Sequence, residues 1–180
     1  MGNRGGGDRP LYRGQDMGGL TRVHWHWTAG GGYPSDLDRQ HYHYLIDHDG
    51  QVRSGRWPAE ANIAPKQGAY AAHTLNANTG AIGIGVCGMA GATERPFSPG
   101  RAPMNELQID ALIELTARLC REHGIAVTRR TVLSHAEVQP TLGIKQRGKW
   151  DIAWVPGMMS VGDPVRVGDA LRARVIEAMK

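Results

Sequence analysis

Cysteine is scarce in this 180-residue chain: only Cys87 and Cys120 occur, and they form no CxxC pair. Two cysteines build no disulfide framework, so the pattern points to synthesis in a reducing compartment. Long hydrophobic runs are missing too. Crossing a bilayer as a helix takes about 18 or more apolar residues in a row. The most apolar stretch, 81–92, is short and broken by glycine, so no membrane insertion is expected. The opening MGNRGGGDRP lacks the apolar core of a signal peptide, which gives cytoplasmic synthesis as the expectation. There is no HExxH motif, no internal repeat and no sign of a second domain. Neither sign of charge dominates: 21 Lys and Arg against 17 Asp and Glu leave a net +4. A mild basic excess suits an anionic partner, either nucleic acid or a cell-wall polymer. The basic residues are scattered and no helix is densely basic, which speaks against nucleic acid.

What is present fits one globular domain. Hydrophobic residues make up 41% and charged residues 21%, as in ordinary soluble domains. A chain of this length buries a core without disulfides, and a monomer is expected. The 25 glycines and 8 histidines stand out. They suggest loops of unusual geometry and a histidine-based site.

Residues 1–19 are glycine-rich and aperiodic, and read as a flexible arm before a single domain over 20–180. Over 21–28 the chain alternates, with Val23, Trp25 and Trp27 on one face and His24 and His26 on the other, a strand signal. Ser35 is a natural N-cap for a short helical turn over 35–41. Residues 42–46 and 51–55 read as strands joined by an Asp49-Gly50 turn. Segment 57–79 reads as a long functional loop, 82–86 as a buried strand and 88–103 as a second loop. The spacing of Leu107, Leu112, Leu115 and Leu119, joined by Ile109 and Cys120, predicts a helix over 105–123. Asn105 caps it and Gly124 stops it. A strand over 127–133, irregular chain over 140–156 and a closing helix over 167–179 complete the pattern. This order implies a mixed α/β (α+β) fold, a central mixed sheet flanked by helices.

His26 and His135 each follow a strand and precede irregular backbone. Alone, each reads as a hydrogen-bonded histidine at a strand end. Together they form a candidate metal pair. A catalytic zinc needs a third protein ligand and an open position. Asp151 can supply the ligand, and Lys149 can stabilise an oxyanion. The gaps between these positions are not diagnostic in themselves.

The chain from about Val23 to Asp151 resembles the zinc-dependent N-acetylmuramoyl-L-alanine amidases, a family that includes bacteriophage lysozyme-type amidases and peptidoglycan recognition proteins. Five ordered stretches carry the resemblance. They are His24-Trp25-His26-Trp27-Thr28-Ala29-Gly30; Tyr42-His43-Tyr44 with Asp49-Gly50 and Gly55-Arg56; Ala72-His73 with Asn76, Asn78 and Ile82-Gly83-Ile84; Ser134-His135-Ala136-Glu137-Val138; and Lys149-Trp150-Asp151.

The resemblance implies a Zn2+ site in a surface cleft with His26, His135 and Asp151 as ligands. His24 is the competitor for the role of His26. The family position of Asp151 holds Cys or Asp, and Asp points to the branch active on bacterial walls. Tyr42 and Lys149 take the catalytic positions, with Lys145 as the alternative cation because the loop before Asp151 is long. The implied reaction cleaves the amide between N-acetylmuramic acid and L-alanine in peptidoglycan. A phage or prophage endolysin, made in the cytoplasm and acting on the wall, is the expected role. A non-catalytic peptidoglycan receptor and a cytosolic muropeptide-recycling amidase are the alternatives. His73, Trp57 and Trp150 are expected at the substrate, and Trp154 joins them as a possible sugar-stacking surface, with at least one of the three tryptophans left to core packing. His43 is expected to be buried and structural, Glu137 to lie on the surface, and His41, His48 and His123 to be solvated.

Overall fold

A computed structural model describes residues 19–180. All but the last residue of the expected 1–19 arm lies outside the described residues. The chain runs β1 (Arg22–Trp27), α1 (Asp36–His41), β2 (Tyr44–Ile46), β3 (Val52–Ser54), a 3-10 turn (Ala59–Asn62), β4 (Ala81–Val86), α2 (Glu106–His123), β5 (Val132–Ser134), α3 (His135–Leu142) and α4 (Pro164–Ala178). Five strands form one sheet in the order β3-β2-β4-β1-β5. Strands β2, β4, β1 and β5 are parallel, and β3 pairs antiparallel with β2 across the Asp49-Gly50 turn. The fold is the mixed α/β sheet implied by the sequence.

Parallel strands covered on both faces lose their polar alternation. Accordingly β4 is buried throughout. In β1 the alternation survives for a different reason. Val23, Trp25 and Trp27 enter the main core, whereas His24 and His26 are buried on the other face. Helix α2 packs on the apolar face. Trp25 Nε1 donates to Thr116 Oγ1 of α2 at 2.9 Å. Gln108 Nε2 donates to the carbonyls of Ile46 and Cys87, fixing the start of α2 to the ends of β2 and β4. Asn105 and Gln108 form a capping box, and α2 ends at Gly124. Cys87 and Cys120 are both buried and free.

Several expectations need correction. Leu107 is 62% exposed and lies outside the apolar stripe of α2. Tyr42 is not in a strand. Its N–H bonds to Asp38 as the C-cap of α1, so β2 starts at Tyr44. The strand expected over 127–133 shrinks to three residues, because Thr128 and Thr131 close a hydrogen-bonded turn before it. The segment expected to be irregular begins with the end of α3, which holds Pro140 inside it. Proline removes one helical hydrogen bond, but a Ser134–Glu137 capping box secures the first turn.

Glu137 is fully buried, not on the surface. Its carboxylate accepts from Ser134 N and Oγ and from Arg172 of α4 at 2.8 Å. Arg172 also donates to the Val132 carbonyl at 2.8 Å. A buried pair with every partner in place fixes geometry more than it adds stability. Here it locks the β5–α3 corner, the position next to His135. No helix among the described residues is long and apolar enough to cross a membrane.

Candidate metal centre

Strand register brings the two candidate histidines together. Trp25 pairs with Ser134 across β1 and β5, so His26 and His135 stand side by side one residue further on. Their Nδ1 atoms are 3.0 Å apart. The loop after α3 returns Asp151 to the same point, with Ala136 N donating to the Asp151 carbonyl. Asp151 Oδ2 then lies 3.3 Å from His135 Nδ1 and 3.6 Å from His26 Nδ1. All three side chains are buried.

The outer nitrogens decide what these inner atoms carry. His135 Nε2 lies 2.9 Å from Gln146 Oε1, whose amide nitrogen is occupied by the Leu75 carbonyl. An amide oxygen only accepts, so the His135 proton is on Nε2. His26 Nε2 lies 3.2 Å from His73 Nδ1. His73 donates its own Nε2 proton to the Ala81 carbonyl, which leaves its Nδ1 unprotonated, so His26 Nε2 faces only acceptors there, with the Thr74 hydroxyl oxygen 3.3 Å away. Both histidines therefore turn bare Nδ1 lone pairs toward a carboxylate oxygen. Three lone-pair donors this close repel unless a cation lies among them. Zinc bonds of about 2.0–2.1 Å in tetrahedral geometry set donor atoms about 3.3–3.4 Å apart, and the three observed separations bracket that value. Two imidazoles and one carboxylate also match the donor chemistry of catalytic zinc sites.

Protonation states agree. Burial pushes His26 down to about 4, against the pull of Asp151, so the imidazole is neutral at physiological pH.

The cluster opens on a cleft of about 760 Å³ lined by Trp27, Tyr42, Tyr70, His73, Asn76, Lys149 and Trp150, among others. The Tyr42 ring lies 5.2 Å from His26. Burial raises the Tyr42 pKa, so it stays a phenol and a proton donor. Its ring rests on Gly85, where a Cβ would come within 2.8 Å of it. His73 rests on Gly83 in the same way, at 2.5 Å. These close approaches explain two glycines in the middle of a buried strand.

Lys149 is exposed on the cleft wall. Lys145 is not among the lining residues, which separates the two candidate cations. Trp150 lines the cleft and meets Trp27 edge-on at 4.5 Å. Trp57 does not line it; Arg56 covers its ring at 5.1 Å. Trp154 belongs to the core, with Nε1 donating to the Met158 carbonyl. His43 is buried as expected, between Asn62 Oδ1 and Gly83 N. His24 is buried against Thr74 Oγ1, behind His26. His73 lines the cleft, but most of its ring is committed to the protein. Gln146 and Thr74 are site residues that no motif singled out. Each is one polar residue in a loop, and only the folded chain shows what it faces.

A mixed sheet with a histidine–histidine–carboxylate cluster at the open ends of its parallel strands defines a class: α/β enzymes whose cleft is built around a metal-sized donor cluster. Within that class, the chain belongs to the N-acetylmuramoyl-L-alanine amidase family, whose model matches residues 17–156, and it is an amidase. Its structure is similar to that of N-acetylmuramoyl-L-alanine amidase LysC from Clostridium intestinale URNW, with a TM-score of 0.50 and 17% identity over 87% of this chain and 87% of that one. Ph2119 endolysin from Thermus scotoductus MAT2119 bacteriophage Ph2119 matches with a TM-score of 0.46 and 20% identity, over 83% and 85% of the two chains. Drosophila peptidoglycan recognition protein SD matches with a TM-score of 0.44 and 23% identity, over 79% and 85%. No curated protein matches the sequence.

Proposed function

We propose that this amidase is zinc-dependent and cleaves the bond between N-acetylmuramic acid and L-alanine in peptidoglycan, with His26, His135 and Asp151 holding the ion. The observation that carries this reading is the convergence of two bare Nδ1 atoms and one carboxylate oxygen at the floor of an open cleft. A zinc ion bound there supplies a Lewis acid and lowers the pKa of water to about 7. Tyr42, whose ring lies beside His26 and whose hydroxyl donates to the Trp27 carbonyl at 3.4 Å in the free cleft, would turn that proton to the substrate oxygen as a neutral phenol. Lys149 brings a positive charge to the cleft wall, where it offsets the negative charge that develops on the carbonyl oxygen. Trp150 offers an aromatic face to the apolar face of a sugar ring, and His73 and Asn76 also border the cleft.

Lys149→Ala is expected to keep zinc and to lower kcat by roughly 100- to 1,000-fold, the usual cost of one oxyanion-stabilising group. Lys145→Ala is expected to change little. Zinc content and the fall in turbidity of purified sacculi measure both. A wild-type chain that binds sacculi and holds zinc but never clears them is a receptor, and the catalytic reading fails. A large loss in Lys145→Ala alone moves the catalytic role to that lysine.

A further inference from the structure

The outer nitrogens of both candidate ligand histidines trace back to one short segment, residues 73–75. Thr74 Oγ1 lies 2.8 Å from His73 Nδ1, 3.0 Å from His24 Nδ1 and 3.3 Å from His26 Nε2. His24, His26 and His73 have metal-like spacing of their own. The hydroxyl sits among their nitrogens, however, and makes them a hydrogen-bonded group. It carries one proton. His73 Nδ1 is the acceptor at the shortest distance, so the proton goes there, and the Oγ1 lone pairs receive N–H groups from His26 and His24. His24 Nε2 is then a bare nitrogen, and it has no hydrogen-bond partner among the described residues. On the other side, the Leu75 carbonyl holds the Gln146 amide nitrogen at 2.9 Å, which turns Oε1 toward His135.

The segment is itself held firmly. Asn78 Oδ1 accepts from the backbone N–H of His73 at 3.0 Å and of Thr74 at 2.8 Å. Ala77 N donates to the Thr74 carbonyl at 3.1 Å.

We propose that residues 73–75 preset both ligand imidazoles as Nε2–H tautomers, with Thr74 and Gln146 as positioning residues that leave the two Nδ1 atoms free for the metal. This rests on the reading of His26, His135 and Asp151 as zinc ligands. Partners outside the ligand sphere fix ring orientation and tautomer, and losing one typically costs 10- to 100-fold in metal affinity.

The test uses Thr74→Val, Thr74→Ser and Gln146→Leu, with two readouts. Chelator competition gives the zinc Kd, and long-range 15N–1H spectra of the metal-free chain give the histidine tautomers. Thr74→Val and Gln146→Leu are each expected to weaken zinc by about 10- to 100-fold, and Thr74→Ser to stay within a few-fold of wild type. The Nε2–H signal is expected to weaken at His26 in Thr74→Val and at His135 in Gln146→Leu. Folded variants with wild-type Kd and unchanged tautomers overturn the proposal. If Thr74→Val does not fold, Gln146→Leu decides it. A wild-type chain that binds zinc but does not cleave peptidoglycan defeats the functional reading and leaves this one standing. A wild-type chain that binds no zinc defeats the ligand assignment, and the tautomer spectra still decide the role of residues 73–75.

Discussion

Asp151→Ala is expected to lose zinc and activity together. The change removes the only charged donor of the cluster and leaves two neutral imidazoles facing a divalent ion in a buried site. Zinc affinity depends on a full set of deprotonated ligands, and chemistry that relies on the ion goes with it. Activity is expected to fall by roughly 1,000-fold or more, with metal content far below one ion per chain. The fold is expected to survive, because the backbone contact between Ala136 N and the residue 151 carbonyl does not need the carboxylate. Asp151→Cys is the control: thiolate is a zinc ligand, and it should retain most of the metal. Elemental analysis alongside sacculus clearing measures both variants. Full activity in Asp151→Ala moves the third ligand elsewhere.

The second large effect is loss of stability in acid. Beside His135, the histidines His24, His26, His43 and His73 are buried around the site. Burial is the main cause of each shift. It pushes His26 and His43 down to about 4 and His24 and His73 well below the ordinary value near 6.5. The sign follows from which state binds protons. As pH falls through 6.5 the unfolded chain takes up protons on these groups, and the folded chain does not until about pH 4 or lower. Stability is therefore complete above pH 6.5 and is lost as pH falls toward 4. Each such group contributes up to about 1.4 kcal/mol per pH unit within that window, so His26 and His43 alone give a slope of roughly 3 kcal/mol per unit, and His24 and His73 act in the same direction. Marginal domains hold only about 5–15 kcal/mol. The metal-free protein is therefore expected to unfold between pH 6 and 4, and urea melts across that range measure it. A midpoint that stays flat down to pH 4.5 would show that these imidazoles are protonated in the native state.

Much of this site was legible in the sequence because its parts are local. Alternation in β1 placed His26 opposite Trp25 and Trp27. Ser35 and Asn105 marked helix starts through their own side chains, and Asp49-Gly50 marked the hairpin. Other features depend on partners distant along the chain. Glu137 reads as a surface residue until Arg172, on another helix, is placed beside it. Pro140 suggests broken helix until the cap at Ser134 is seen. Tyr42 looks like the start of a strand because its neighbours have strand composition, yet its N–H belongs to α1. Trp57 and Trp150 have the same chemistry in sequence, and only the return of the loop to Asp151 puts Trp150 in the cleft. Gln146 and Thr74 carry no pattern, since a hydrogen bond to an imidazole leaves no periodic signature.

The central claim is that the cleft hydrolyses the amide that joins muramic acid to the stem peptide. Product analysis of digested, purified peptidoglycan tests it most directly, with amino-terminal labelling and mass spectrometry of the soluble fraction. The expected products are stem peptides with a free L-alanine amino terminus, glycan strands with intact lactyl groups and no new reducing ends, all absent after chelation and restored by zinc. New reducing ends, cleavage between other residues of the stem, or no release by the zinc-loaded protein would contradict it.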